Sequence, residues 1–528
     1  MKNKTVRLLI PMILILVAAN FLAFSVEQLT ITKLLAGVAV LAGIFTVYAN
    51  SQEKLKSLPV SFTQYFAGIL FIFSGYVKAA DPMGTAFKME QYFAEFEATF
   101  ADTTFSFLAP LFPFISSFAV GFSVFMIVLE IALGLALIIG WRPRLSAWTF
   151  AAIIFFFTFL TGFTFLTGYV PEGVNFFQFG QWGEWIETNM KVTDCGCFGD
   201  FLVLAPYVSF LKDLFLLIPA LIFLFFTKRM HQHFSPATRL GVVVATSALA
   251  LFYCFSNYLW NIPGQDFRPF RIGTDIATTK QAEMDAAANV QLLGYDIVDK
   301  STEEVVANLT VDEFLAQYTD FPEEEYEYVQ LKTEPEIDAT KISDFEFQDA
   351  QGNDQTANLL GYNGHIFTLI AYKIKGEQTG TETIYDTIQT MQIDTVALEV
   401  EEPSMFLDTS YRTEIVESQR PIYSFDSRYL KKWKDYLMPV VNDARAAGHQ
   451  AIVLTAFTED AKLRSFAEQI GATDVTFLRG DDIMIKTIIR SNPGLMLLHQ
   501  GRVVDKYHYR RLPPFVEIAG EHGLSVSE

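Results

Sequence analysis

Cysteine is scarce in this sequence, with three residues in 528, and histidine occurs only seven times. Three cysteines are too few to build a disulfide-stapled scaffold. Two of them lie one residue apart, at Cys195 and Cys197, and the third is Cys254. Residues 264–528 contain no cysteine, so this half of the chain cannot perform thiol chemistry on its own.

Positive charge is also in deficit, and the formal net charge is −20. Residues 264–528 hold 45 of the 59 acidic residues but only 24 of the 39 basic ones, so this half carries essentially all of the net charge. An acidic surface repels a phosphate backbone, which excludes nucleic acid as a partner. We interpret the acidic residues as a solvated surface rather than an acidic docking site.

The first half of the chain is instead strongly apolar. Seven stretches are long enough to span a membrane as helices: 6–25, 30–49, 61–80, 116–140, 146–169, 204–226 and 239–260. The first resembles a signal peptide because basic residues precede it. A second span follows at once and no clean cleavage site appears, so we predict a retained helix.

Basic residues in the short loops predict the orientation of these spans. They fall before the first span and in every second loop after it: Lys2, Lys4, Arg7, Lys54, Lys56, Arg142, Arg144, Lys228, Arg229 and Arg239. That side is therefore predicted to be cytoplasmic. With seven spans the N-terminus is cytoplasmic and the C-terminal half is periplasmic, in a multi-pass protein of the inner (cytoplasmic) membrane with lipid as its surroundings.

The outer loop, residues 170–203, is rich in aromatic side chains, which favour the membrane interface. It carries Cys195 and Cys197 to the oxidising side of the membrane. A Cys-Gly-Cys disulfide closes a small strained ring, which favours a labile, exchangeable dithiol. Two alternatives remain: inert thiols or a fixed loop clip, and a metal site, for which two thiolates alone are a poor ligand set.

Charged residues flank this redox pair. Asp194 and Asp200 would raise the pKa of a neighbouring thiol and slow thiolate attack, unless a cation such as Lys191 or Lys212 compensates. Cys254, near the outer end of the last span, could resolve a mixed disulfide. A lone cysteine in an apolar helix is also an ordinary small buried residue.

Glu130 lies near the middle of the fourth span, where a carboxylate needs a partner, a proton or a polar cavity. Lys78, or Lys212 with Asp213, could pair with it. The pair could simply fix helix packing, or it could form a quinone or proton site. His231 and His233 lie in a basic cytoplasmic loop, and we expect both to be solvated.

Several motifs together resemble one family of small membrane proteins, the DoxX/MauE family. Residues 71–93, which include Lys78 and Asp81, resemble its first core helix and the following turn. Residues 130–135 resemble its second core helix, and Asp194-Cys-Gly-Cys-Phe-Gly-Asp200 is similar to the cysteine motif of its MauE-like branch. Residues 209–213 and 266–274 extend the likeness to a Bacteroidetes-type version with a C-terminal extension.

The resemblance covers residues 60–275 and implies a function in the periplasm. MauE-like proteins are implicated in maturing a disulfide-rich periplasmic enzyme subunit, and DoxX proteins are associated with quinone-linked oxidation. The resemblance therefore implies either a periplasmic protein client or a quinone as cofactor. No other cofactor and no metal is expected.

After residue 341 the second half of the chain shows a clear succession of predicted strands and helices. Strands are predicted at 343–350, 365–373, 450–457, 474–479, 494–499 and 502–509, and helices at 427–447, 459–471, 482–491 and 513–522. This order resembles a peroxiredoxin-like variant of the thioredoxin fold, and Pro493 stands where that fold carries its cis-proline. Thioredoxins carry their cysteines just after the first core strand. In this chain that strand, 365–373, is followed instead by an insertion that extends to about residue 426.

The expected fold class is therefore multi-domain: an α-helical transmembrane bundle of about seven helices followed by an α/β thioredoxin-like domain. Residues 1–59 form two N-terminal transmembrane helices and 60–262 the DoxX/MauE-like bundle. Residues 263–340 are a linker with a small acidic segment, and 341–528 the thioredoxin-like domain. Three functions remain open: support of periplasmic thiol–disulfide exchange, a non-enzymatic membrane scaffold, and a quinone-linked oxidoreductase subunit.

Overall fold

A computed structural model describes residues 31–192, 196–302, 304–398 and 404–526, apart from the side chains of residues 386–412, 414 and 416. The chain divides into two compact units, which part between Arg271 and Ile272. The first unit is helical, and the second combines helices with β-sheets.

Six helices in the described ranges are long and apolar enough to cross a membrane. They are α1 (Ile31–Ser51), α2 (Leu58–Ala80), α5 (Ala119–Ile139), α6 (Pro143–Thr167), α7 (Pro206–Phe225) and α8 (Pro236–Phe255). These helices correspond to six of the seven predicted spans. The remaining prediction, residues 6–25, lies outside the described residues.

Proline begins several of these helices. Pro143, Pro206 and Pro236 each occupy the first helical position, where the absent N–H group costs nothing because no helical acceptor exists there. At its other end, α5 stops at Gly140, whose φ of 71° is readily adopted by glycine.

Glycines bring α2 and α5 into close contact. A Cβ atom at Gly68 would lie 2.6 Å from the carbonyl oxygen of Gly134, and a Cβ atom at Gly134 would lie 2.7 Å from the carbonyl oxygen of Gly68. Small residues at such a crossing allow two backbones to approach. This crossing positions Lys78 of α2 beside Glu130 of α5.

Two helices after α2 were not predicted. Asp81 caps α3 (Pro82–Ala101) by accepting a hydrogen bond from the Gly84 N–H at 3.1 Å, and α4 (Leu111–Ser116) follows. The helix α3 buries one side, including Tyr92 and Phe96, and carries charged residues elsewhere, so it lacks the continuous apolar run by which spans are recognised.

The segment expected to be mainly a linker contains regular structure. Helix α9 (Ile276–Ala288) precedes a three-stranded antiparallel sheet of order β2–β1–β3, formed by β1 (Leu292–Asp299), β2 (Val305–Thr310) and β3 (Tyr326–Lys332). The short helix α10 (Val311–Gln317) begins with a capping box between Thr310 and Glu313.

A five-stranded mixed sheet of order β10–β9–β4–β7–β8 forms the core of the second unit. The strands β4 (His365–Ala371), β7 (Gln450–Ala456) and β8 (Thr476–Gly480) pair in parallel. The strand β9 (Gly494–His499) is antiparallel to both of its neighbours, β4 and β10 (Arg502–His508). The Asn492–Pro493 peptide bond, just before β9, is cis. The predicted strand at 343–350 is wrong: this segment makes turns, with isolated bridges at Gln348.

Helices flank this sheet, and a long hairpin is inserted in the chain between β4 and β7. The helices are α11 (Thr356–Leu360), α12 (Ser427–Lys432), α13 (Met438–Ala446), α14 (Asp460–Ile470), α15 (Asp482–Ile488) and α16 (Phe515–His522). A π-helical turn, Trp433–Leu437, separates α12 from α13, so the single helix predicted at 427–447 is divided. The insertion forms a two-stranded ribbon, β5 (Gly376–Leu398) with β6 (Ser404–Phe425).

Candidate functional site

A buried ion pair lies between α2 and α5. Lys78 Nζ is 2.6 Å from Glu130 Oε1, and the two side chains are 5% and 2% exposed. Of the partners considered for Glu130, the structure therefore brings Lys78 to it. Lys78 Nζ also lies 4.9 Å from the centre of the Phe157 ring, a cation–π contact that adds to its stabilisation.

A second buried pair is formed within α7. Lys212 Nζ lies 2.5 Å from Asp213 Oδ1, and Thr161 of α6 donates a hydrogen bond to Asp213 Oδ2 at 3.0 Å. Lys212 and Asp213 therefore pair with each other. Removing either member of such a pair leaves an uncompensated charge in an apolar bundle.

Ser74 links the first ion pair to the cysteine loop. Its Oγ atom lies 3.1 Å from Glu130 Oε2 and 3.0 Å from the backbone carbonyl oxygen of Cys197. A hydroxyl has one hydrogen to donate, so Ser74 can satisfy only one of these acceptors at a time. Ser74 therefore lies between the Glu130 carboxylate and the Cys197 backbone and can bond to either.

These groups surround one small cavity. It holds about 20 Å³, enough for about one water molecule. Its polar and sulfur-bearing lining residues are Ser74, Lys78, Glu130, Cys197, Lys212 and Asp213. Six residues from four parts of the sequence thus meet at one point, and five of them belong to the predicted site.

The cysteine motif is only partly described. Asp194 and Cys195 lie outside the described residues. Cys197 is 8% exposed and packs in the core of the bundle. Of the two cations considered for this motif, Lys212 lines the cavity with Cys197, whereas Lys191 is exposed.

A buried arginine lies near two other acidic residues of the predicted site, Asp81 and Asp200. Arg268 is 2% exposed and makes a bidentate contact with Asp266, with its Nε and Nη2 atoms 2.6 and 2.8 Å from the two carboxylate oxygens. Burial lowers the pKa of Arg268, but Asp266, Asp81 and Asp200 outweigh it and hold the pKa above its ordinary value. Asp200 therefore lies near a cation that the sequence did not indicate.

Cys254 lies in a separate apolar cluster. It is fully buried and packs with Ala79, Val124 and Ile127. These surroundings match those of an ordinary small buried residue.

The expectation that His231 and His233 are solvated is wrong. They are 0% and 4% exposed, because the loop that carries them folds against α2 and the end of α5. The Tyr65 hydroxyl lies 2.7 Å from His233 Nε2, and the Gln64 side chain accepts a hydrogen bond from the His231 N–H at 2.8 Å. These polar partners, about 170 residues away along the chain, satisfy groups that would otherwise need water.

Burial of these histidines predicts a loss of stability in mild acid. Desolvation, followed by the proximity of His233, lowers the pKa of His231 to about 3; desolvation, followed by Lys54 and Arg239, lowers that of His233 to about 4. In the unfolded chain each of the two imidazoles has a pKa near 6.5. As the pH falls from 6.5 towards 4, the unfolded chain therefore takes up protons that the folded chain does not. The stabilisation is therefore complete above pH 6.5 and is lost as the pH falls.

Unfolding of the detergent-solubilised protein at pH 7, 6 and 5 measures this effect. We expect each imidazole to contribute up to about 1.4 kcal/mol of destabilisation per pH unit below 6.5. In His231→Gln the dependence should become shallower, because the glutamine keeps a polar group but cannot titrate. An unchanged slope in this variant would contradict the assignment.

Comparisons with models of protein families, with curated proteins and with solved structures found no match. The site is therefore interpreted from its own geometry.

Sequence reasoning missed three polar residues of this region. Ser74, Thr161 and Arg268 all contact predicted site residues through hydrogen bonds or charge. Ser74 and Arg268 fall inside the motifs that carry the family resemblance, and that was the available signal. A threonine such as Thr161 in an apolar helix carries no comparable signal.

Proposed function

We propose that this chain is an integral membrane protein of the DoxX/MauE type that supports thiol–disulfide exchange in the periplasm through Cys195 and Cys197. The observation that carries the proposal is the meeting of Cys197 with two buried ion pairs and Ser74 around one cavity. Buried charges inside a membrane bundle are costly and are commonly retained for a function.

The exchange conserves electrons and atoms. A thiolate of the client attacks one sulfur of the Cys195–Cys197 disulfide, which breaks and leaves a mixed disulfide with the other cysteine released as a thiolate. A second client thiolate then displaces the remaining cysteine. The client loses two electrons and gains a disulfide, while Cys195 and Cys197 end as thiols after protonation. A second protein partner that carries a disulfide reverses the step.

The charged residues around Cys197 each have a proposed role in this exchange. The Lys212–Asp213 pair lines the same cavity as Cys197, and the Arg268 guanidinium offsets the negative charge of Asp200. Ser74, which also contacts Glu130 of the Lys78–Glu130 pair, holds the backbone of Cys197. Asp213 neutralises Lys212 within the bundle.

The second unit is proposed to hold the client. Its mixed sheet with flanking helices supports a thioredoxin-like fold, and its lack of cysteine supports a redox-inactive binding domain. The basic loops of the first half support a cytoplasmic N-terminus and a periplasmic second unit in the inner membrane.

A non-enzymatic scaffold is the second candidate. The observation that favours it is the burial of Cys197, which is 8% exposed and so has little access to a client. In that case the bundle only anchors the second unit for partner proteins. A quinone-linked function is less well supported, because the cavity of about 20 Å³ is far smaller than the roughly 300 Å³ of a typical ligand pocket.

Exchange with a disulfide-bearing model peptide tests the proposal. Purified full-length protein, first reduced, should reduce the peptide and lose two thiols per chain in doing so. Cys197→Ser and Cys195→Ser should both abolish the reaction, since each removes one of the two sulfurs, while Cys254→Ala should react like the wild type. If all three cysteine variants behave like the wild type, and only deletion of residues 341–528 abolishes the protein's function in cells, the non-enzymatic scaffold is the correct function.

A further inference from the structure

Two loops of the helical unit place basic residues around one cavity. The cavity holds about 440 Å³ and lies where α6 begins and α7 ends. The two helices pack together near this end, where the ring centres of Phe150 and Phe223 are 5.3 Å apart. A 3₁₀ turn, Thr227–Arg229, follows α7. The residues that line the cavity are Arg142, Pro143, Arg144, Leu145, Thr227 and Lys228.

The three cations of this cavity have no carboxylate beside them. Arg142, Arg144 and Lys228 are exposed, and none of them forms an ion pair within the described residues. Acidic residues are absent from 131–171 and from 214–265, so neither loop can neutralise its own basic residues. Three positive charges around one cavity attract an anion.

Exposed apolar side chains lie next to these cations. Leu145 lines the cavity and is 48% exposed, and Trp148 on α6 and Phe225 on α7 are 69% and 78% exposed. Trp148 lies on the same face of α6 as Arg144, because residues four apart on a helix are neighbours. Both helices are long and apolar enough to cross a membrane, so exposed apolar side chains along them meet acyl chains. Cations beside such a surface match the two chemical parts of a phospholipid.

We propose that this cavity binds the phosphate headgroup of an anionic phospholipid, such as phosphatidylglycerol or cardiolipin. Guanidinium groups bind phosphate oxygens with two hydrogen bonds, and basic pockets between spanning helices are typical sites for such headgroups. A free phosphate would contact the cations but leave the apolar surface unused. Membrane orientation requires basic residues on one side but does not require two loops far apart in the sequence to share a cavity. The inference rests on α6 and α7 crossing a membrane and is independent of the thiol chemistry.

Native mass spectrometry of delipidated full-length protein in detergent, titrated with phosphatidylglycerol or phosphatidylcholine, tests the site. The wild type should bind phosphatidylglycerol more tightly than the zwitterionic lipid. Arg144→Gln and Lys228→Gln should each weaken binding of phosphatidylglycerol about fivefold, the effect of one basic residue at an anionic membrane surface. Lys228→Arg keeps the charge and should bind like the wild type. Lys56→Gln is the matched control, because Lys56 is exposed in another basic loop and does not line the cavity.

The outcomes separate this site from general attraction between charges. The proposal is overturned if the wild type binds the two lipids equally, or if Lys56→Gln weakens binding as much as Lys228→Gln. Displacement of the lipid by an equal concentration of glycerol phosphate would also overturn it, since the site would then belong to a soluble phosphate compound. Because Arg144 and Lys228 are exposed, their variants should melt like the wild type without lipid and retain the reduction of the disulfide peptide.

Discussion

Replacing Lys78 by methionine is expected to destabilise the helical bundle by about 3–5 kcal/mol. The change leaves the carboxylate of Glu130, which is 2% exposed on its side chain, without its cation in an apolar interior. The Ser74 hydroxyl at 3.1 Å remains as a donor but carries no compensating charge. Denaturant-induced unfolding of the purified protein in detergent measures the loss.

The double variant Lys78→Met/Glu130→Leu distinguishes a lost ion pair from lost packing. Since it removes both charges, it should recover most of the stability, as replacement of buried pairs by apolar residues often does. Lys56→Met, an exposed lysine in the preceding loop, is the control and should change stability by less than about 0.5 kcal/mol. A double variant as unstable as Lys78→Met would refute the pairing.

Gly134→Ala is expected to disturb the crossing of α2 and α5 and to cost about 1–3 kcal/mol. The new Cβ atom would lie 2.7 Å from the Gly68 carbonyl oxygen and 2.9 Å from the Ile72 nitrogen, both backbone atoms that cannot rotate away. The two helices must therefore separate. Because this crossing holds Lys78 against Glu130, we expect the variant also to loosen that ion pair.

Gly121→Ala on the same helix provides the control. A Cβ atom there meets no atom within 4 Å, so alanine should be neutral or stabilise the helix by up to about 1 kcal/mol. Thermal unfolding of both variants in the same detergent gives the comparison. Equal effects at the two positions would mean that the backbones do not approach as closely as described.

The apolar spans were predictable because each is a long uninterrupted run of apolar residues. Such a run indicates a membrane-spanning helix without any knowledge of its distant contacts. Elements that depend on distant contacts were not. The helix α3 buries one face and exposes another, and the sheet β2–β1–β3 lies in a segment dominated by acidic residues. The predicted strand at 343–350 has the alternation of a strand but finds only isolated bridges at Gln348.

The site shows the same division between local and distant information. Glu130 and Lys78 could be recognised as unusual because charged residues are rare in an apolar bundle. They are 52 residues apart in the sequence, so the sequence did not show that they pair with each other. A basic loop looks solvated in sequence, and His231 is buried only because Gln64, far along the chain, provides a partner. Distant partners of this kind have no signature in a single sequence.

Differential thiol trapping in intact cells tests the central proposal most directly, namely an exchangeable pair of cysteines on the outer side of the membrane. Cells are treated with a membrane-impermeant maleimide before and after mild reduction, and the labelled cysteines are identified by mass spectrometry. We expect Cys195 and Cys197 to label only after reduction, with the buried Cys254 unlabelled in both samples. Labelling of the pair only after the cells are opened would contradict both the topology and the redox function.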